Sequence, residues 1–181
     1  MDGGAGIYRR FLQGDESAFT ELLNLYRDSL IFFINRMVHN LDTAEELAAD
    51  CFVELLVHPG RYRFQGSLKT YLFTIGHHKA VNAVRRAARL RVEELDESAV
   101  SASFEAFEEN ILRDEQRAAV HRGLAKLKPE YREALHLLYF EEMSYEEAAR
   151  VMHKNRKQID NLACRGRSAL KNILEQEGFS R

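Results

Sequence analysis

The chain has 181 residues, enough for one ordinary domain or two small ones, and 45% hydrophobic residues with only two prolines and ten glycines favour helix over a turn-rich β architecture. Cys51 and Cys164 lack CxxC spacing, which argues against a disulfide framework or cysteine zinc site, and no apolar run suits a signal peptide or bilayer span, so a cytoplasmic protein is expected. The net charge of −2 argues against a nucleic-acid partner only until its distribution is read, because the charge is segregated along the chain.

A short helix over about Ile7 to Leu12 precedes a long amphipathic one beginning near Asp15, in which Phe19, Leu22, Leu23, Tyr26, Leu30, Phe33, Ile34 and Met37 recur at intervals of three and four. Asp42-Thr43-Ala44-Glu45 reads as a capping box with Asp42 as the cap. The helix it opens buries Ala44, Leu47, Ala48, Cys51, Phe52 and Leu55, and His58-Pro59-Gly60 stops it. Ser67 then caps a helix that carries Leu68, Tyr71, Leu72, Ile75, Val81 and Val84 into a basic run. No acid lies between Glu54 and Glu93, whereas Arg61, Arg63, Lys69, Lys79, Arg85, Arg86, Arg89 and Arg91 all do. These elements make one helical domain over residues 1–91.

Residues 92–110 are acidic and weakly periodic, the composition of a flexible, self-repelling linker. A second domain, residues 111–181, resumes with Ile111, Leu112, Val120, Leu124 and Leu127, breaks at Lys128, and restarts at Pro129 with Ala134, Leu135, Leu138 and Tyr139. The expected fold class is therefore all-α, with two small helical domains joined by an acidic flexible linker.

Near the end stand two capping boxes, Ser144-Tyr145-Glu146-Glu147 and Asn155-Arg156-Lys157-Gln158, so close that the helices they open must turn sharply. Ala149 supplies a small residue at the crossing, His153 a turn, and Ile159 and Leu162 two anchors, which is helix-turn-helix spacing. In that motif the second helix enters the major groove, and here it offers Lys154, Asn155, Arg156, Lys157, Gln158, Asp160, Asn161, Arg165 and Arg167. Arginine and lysine suit guanine edges or phosphates, and Gln or Asn can pair adenine. A plain hairpin with a solvated basic face is the bland alternative, and the coincidence of caps, anchors and clustered amides weighs against it.

With these motifs in view the chain resembles sigma factors of the sigma-70 family, in the compact extracytoplasmic-function (ECF) group that keeps two globular domains. Residues 143–152 (MSYEEAARVM) resemble the opening helix of the family's region four, and residues 157–171 (KQIDNLACRGRSALK) its recognition helix. Residues 42–52 (DTAEELAADCF) resemble the region-two helix that docks on the polymerase clamp, and residues 64–75 (FQGSLKTYLFTI), continuing to Asn82 and Arg86, the segment that captures the minus-ten element. Tyr71 stands where tryptophan is usual, and His153 where the turn is usually glycine. The resemblance implies a transcription initiation factor whose partners are promoter DNA and core RNA polymerase, through the clamp helices and flap of the large subunits. An anti-sigma factor is a further partner at the level of the family.

Read independently, Asp42, Glu45, Glu46, Ala49, Asp50 and Val53 fall together at helical spacing as an acidic face with an apolar seam, suited to a basic coiled coil. Arg61, Tyr62, Arg63 and Phe64 in a loop, with Lys69, His77, His78, Asn82, Arg85, Arg86 and Arg89 on a helix, could track a single strand. There Tyr62 and Phe64 offer stacking worth about 1–3 kcal/mol per base. A catalytic or metal role is not expected: no P-loop, GxSxG or HExxH occurs, adjacent His77 and His78 are poor co-ligands, and no cofactor is implied. The competing function is a helix-turn-helix repressor or activator with an amino-terminal sensing or dimerising domain, which leaves the separate acid-free block unexplained.

Overall fold

The computed structural model describes residues 3–93, 115–176 and 178. The chain divides into two compact units, Met1–Val100 and Ser101–Arg181. The expected linker falls, from residue 94 onward, outside the described residues, as do Ile111 and Leu112. The described secondary structure is helical throughout, with no strand among these residues.

Unit 1 contains α1 (Gly3–Leu12), α2 (Ser17–Val38), α3 (Leu41–Val57), a 3-10 turn at Pro59–Arg61, and α4 (Leu68–Glu93). Helix α2 lies at its centre, packed against the other three helices. Its apolar stripe of Leu22, Leu30, Phe33 and Ile34 is buried with Ala48, Cys51 and Leu55 of α3 and Leu72, Phe73 and Ala80 of α4. Close approach of α4 to α2 depends on Gly76, where a Cβ would lie 2.9 Å from Leu30 Cδ1. Tyr8 of α1 is wholly buried, and its hydroxyl donates to the Leu55 carbonyl at 2.8 Å, fixing α1 to the end of α3.

Two helix starts differ from the sequence-based expectation. Helix α1 begins at Gly3, before Ile7, because Gly4 lets its backbone lie against Tyr26. The cap of α3 is Asn40, whose Oδ1 accepts from the Thr43 N–H at 2.8 Å, so Asp42 is not the cap. Left-handed His39 (φ 53°) ends α2, and extended Asn40 starts the next helix at once. Asp42 falls in the first turn, where a carboxylate suits the helix dipole. Ser67 does cap α4, with Oγ accepting from the Thr70 N–H at 3.0 Å.

Unit 2 contains α5 (Glu115–Ala125), α6 (Pro129–Tyr139), α7 (Tyr145–Val151) and α8 (Arg156–Gln176). Pro129 takes the first-turn position, where its missing N–H costs no hydrogen bond. Leu124, Leu127, Leu135 and Ala163 form the core, flanked by Val120, Tyr131, Leu138, Leu170 and Ile173. Gly166 lets α8 cross α6, since a Cβ there would sit 3.2 Å from Leu135. Tyr139, grouped with the apolar stripe in the sequence, is 54% exposed, and α6 instead buries His136 and Leu137. Nε2 of His136 lies 3.1 Å from Oε1 of Glu141, and its ring stacks on Phe140.

Candidate nucleic-acid interface

The turn between α7 and α8 is built from local hydrogen bonds. Ser144 Oγ accepts from the Glu147 N–H at 3.2 Å, and Glu147 Oε2 accepts from the Ser144 N–H at 3.0 Å. The second box closes likewise: Asn155 Oδ1 accepts from the Gln158 N–H at 2.9 Å, and Gln158 Oε1 from the Asn155 N–H at 2.8 Å. Between them His153 takes a left-handed backbone (φ 52°), and the Lys154 N–H donates to the Ala149 carbonyl at 2.9 Å. Both boxes satisfy amides that a helix start leaves unpaired, so the entry angle of α8 is held by the two boxes and the left-handed turn at His153 between them.

Burial then sorts the faces of α8. Ile159 and Ala163 are wholly buried, Ala149 is buried at the crossing, and Leu162 is half-buried. Asn155, Arg156, Lys157, Gln158, Asp160, Asn161, Arg165 and Arg167 are exposed. Lys154, Gln158, Asn161, Leu162 and Arg165 line one surface concavity, bringing two cations and two amide side chains together. Three of the basic groups are engaged within the unit. Lys154 Nζ is 2.8 Å from Glu130 Oε1, Arg156 Nε is 3.1 Å from Glu146 Oε1, and Arg167 Nη1 donates to the Tyr139 hydroxyl at 2.8 Å.

In unit 1 the outer face of α4 carries His78, Asn82, Arg85, Arg86 and Arg89, all exposed and repeating at helical spacing. His78 and Asn82 are 3.4 Å apart between Nε2 and Nδ2. His77 and Lys69 are half-buried, the latter with its ammonium 5.7 Å from the Phe73 ring. Arg61 and Arg63 are exposed, whereas Tyr62 is 5% exposed.

Tyr62 is thus not an open stacking surface in this structure. Its hydroxyl donates to the Gly66 carbonyl at 2.8 Å, and its ring packs 4.8 Å from Phe64, 5.3 Å from Tyr71 and 5.9 Å from Tyr8. The ring shapes the loop from within. Phe64 is half-buried on a left-handed backbone (φ 57°), with the Arg9 guanidinium 4.9 Å over its ring.

On α3, Asp42, Glu45, Glu46, Ala49, Asp50 and Val53 are all exposed on one face. This face continues through exposed Leu56 and Val57, beyond the residues expected from the sequence, which makes its apolar seam longer. Glu45 and Asp50 reach Arg27 and Lys79 at 3.7 and 3.3 Å. Glu54 pairs with Arg61. Burial raises the Tyr71 pKa and the Glu54 charge raises it further, while Arg61 opposes them. The described residues hold no cluster of His, Cys, Asp and Glu suited to a metal, and no described helix is long and apolar enough to cross a membrane.

Comparison with known proteins agrees in both units. Residues 22–90 match the family model described as Sigma-70 region 2, and residues 117–170 that described as Sigma-70, region 4. RNA polymerase sigma factor YlaC of Bacillus subtilis is 29% identical over 153 residues, covering 83% of this chain and 88% of that one. RNA polymerase sigma-H factor of Pseudomonas aeruginosa is 30% identical over 179 residues, covering 93% of this chain and 92% of its own. Other relatives carry the ECF designation in their names. Among solved structures, the sigma factor RpoE bound to the anti-sigma factor NepR, from Bartonella quintana, superposes with a TM-score of 0.72 at 22% identity. That alignment covers 87% of this chain and 96% of RpoE and speaks to the fold.

Proposed function

The chain belongs to the sigma-70 family of RNA polymerase sigma factors, in its ECF type, and from that premise we propose how its residues divide the work of promoter recognition. Residues 1–91 serve core-polymerase docking and minus-ten capture, residues 111–181 read the minus-thirty-five element, and residues 92–110 tether the two. The acidic, apolar-seamed face of α3, from Asp42 through Val53 to Val57, docks on a basic helix pair of the polymerase clamp. The face of α4 bearing His78, Asn82, Arg85, Arg86 and Arg89, with Arg61 and Arg63, holds phosphates of the melted strand.

In unit 2, α8 enters the duplex major groove upstream. Gln158, Asn161 and Arg165 are placed for base edges, and Lys154, Arg156, Lys157 and Arg167 for phosphates. The observation that carries this reading is the pair of reciprocal caps that hold α8 with Ile159 buried and its amide and basic side chains outward. Bond making belongs to the polymerase, and the protein itself acts without catalysis, cofactor or metal, in the cytoplasm. An anti-sigma factor is proposed as a regulatory partner, after the complex in which RpoE was solved.

Run-off transcription with core polymerase on a pool of genomic promoters tests the proposal. Addition of the protein is expected to select a defined subset of start sites. Start-site usage identical with and without it would overturn the reading.

A further inference from the structure

Arg61 stands apart from the four other arginines of its surface. Arg63, Arg85, Arg86 and Arg89 are exposed and make no ion pair with another described residue. Arg61, by contrast, places Nη1 against Oε1 of Glu54 in the last turns of α3. The Arg61 side chain is 60% exposed, but the Glu54 side chain that holds it is only 22% exposed. The partner therefore has little solvent around it and is fixed by a helix, while Arg61 sits in the short 3-10 turn that leads into the aromatic loop.

A guanidinium presents the same fork of donors to a carboxylate and to a phosphate, and cannot saturate both at once. An acid seven residues away in the folded chain is always at hand, so a strand must displace it. We propose that Glu54 holds Arg61 in the free protein as an internal substitute for a DNA phosphate. Capture of a single strand exchanges carboxylate for phosphate at that guanidinium, and Glu54 limits how firmly the protein holds single strands. The inference rests on the assignment of Arg61 to the strand-binding surface.

The strength of a partly exposed pair sets the size of the effect, about two- to five-fold in affinity. The test uses the full chain without polymerase, titrated into a fluorescein-labelled oligothymidylate at low salt and followed by anisotropy. Glu54→Gln, which keeps the side chain's shape, is expected to tighten binding by about that factor, Arg61→Gln to weaken it, and Glu54→Gln to add nothing on the Arg61→Gln background. Unchanged or weaker binding by Glu54→Gln overturns the inference. So does an equal gain on the Arg61→Gln background, which marks a general effect of removing negative charge. If Arg61→Gln alone leaves the affinity unchanged, the assignment of Arg61 to the strand surface fails instead. Unchanged helical circular dichroism shows that each variant is folded.

Discussion

Asn155 and Gln158 exchange two hydrogen bonds in opposite directions across the first turn of α8, at 2.9 and 2.8 Å. The pair fixes where α8, the helix proposed to read DNA, starts. Asn155→Ala removes the side-chain acceptor and should cost about 0.5–2 kcal/mol of helix stability. Faster amide hydrogen exchange at Gln158 and Ile159 is the expected readout, together with weaker binding to an upstream promoter duplex.

His153 holds the turn in a left-handed conformation at φ 52°. A β-branched side chain is strained there, so His153→Val is expected to lower the stability of unit 2 by about 1–2 kcal/mol, whereas His153→Gly keeps the turn. Denaturant unfolding of the full chain, followed by unit-2 amide signals, distinguishes the two.

The face of α3 proposed to dock on polymerase is exposed, so surface substitutions there should spare the fold. Glu46→Lys and Val53→Asp are each expected to weaken association with core polymerase about ten-fold, with unchanged thermal unfolding. Binding of a labelled chain to core enzyme measures this. Leu56→Asp, one turn further along the same apolar seam, is expected to behave alike.

Burial pushes the Cys51 thiol up to about 12, from an ordinary value of 9.0, while Cys164 lies exposed on α8. Below pH 9 both folded and unfolded Cys51 hold their proton. Between about 9 and 12 only the folded state does, so stability falls as pH rises through that window. Cys51→Ala should show a shallower alkaline decline in chemical denaturation. At neutral pH iodoacetamide should modify Cys164 in the native chain and reach Cys51 only after unfolding.

The local devices were legible in the sequence because they are local. Ser144 with Glu147, Asn155 with Gln158, Ser67 as a cap and Pro129 in a first turn all act over a few residues, and their side-chain chemistry names their role. The partition of α8 into a buried Ile159 side and a polar outer side followed from 3.6-residue periodicity. Features set by distant residues were not legible. Tyr62 reads as an available aromatic until Tyr8, far away on α1, is brought against it. Leu56 and Val57 lie outside the buried stripe of α3, but only the packed fold shows that they lengthen the exposed seam beside Val53. Asn40 became a cap because His39 could adopt a left-handed backbone, and composition alone does not announce that. The carboxylates that occupy Arg61, Lys154 and Arg156 come from other elements, which charge counting along the chain cannot reveal.

In the function proposed above, two basic helical units hold one promoter at separate places. Hydroxyl-radical footprinting of a holoenzyme–promoter complex tests it most directly, comparing the native chain with a variant carrying Lys157→Ala and Arg165→Ala. Two protected regions are expected for the native chain, with selective loss of the upstream one in the variant and the downstream region retained at saturating holoenzyme. An unaltered upstream footprint, or loss of both regions while polymerase binding persists, would contradict it.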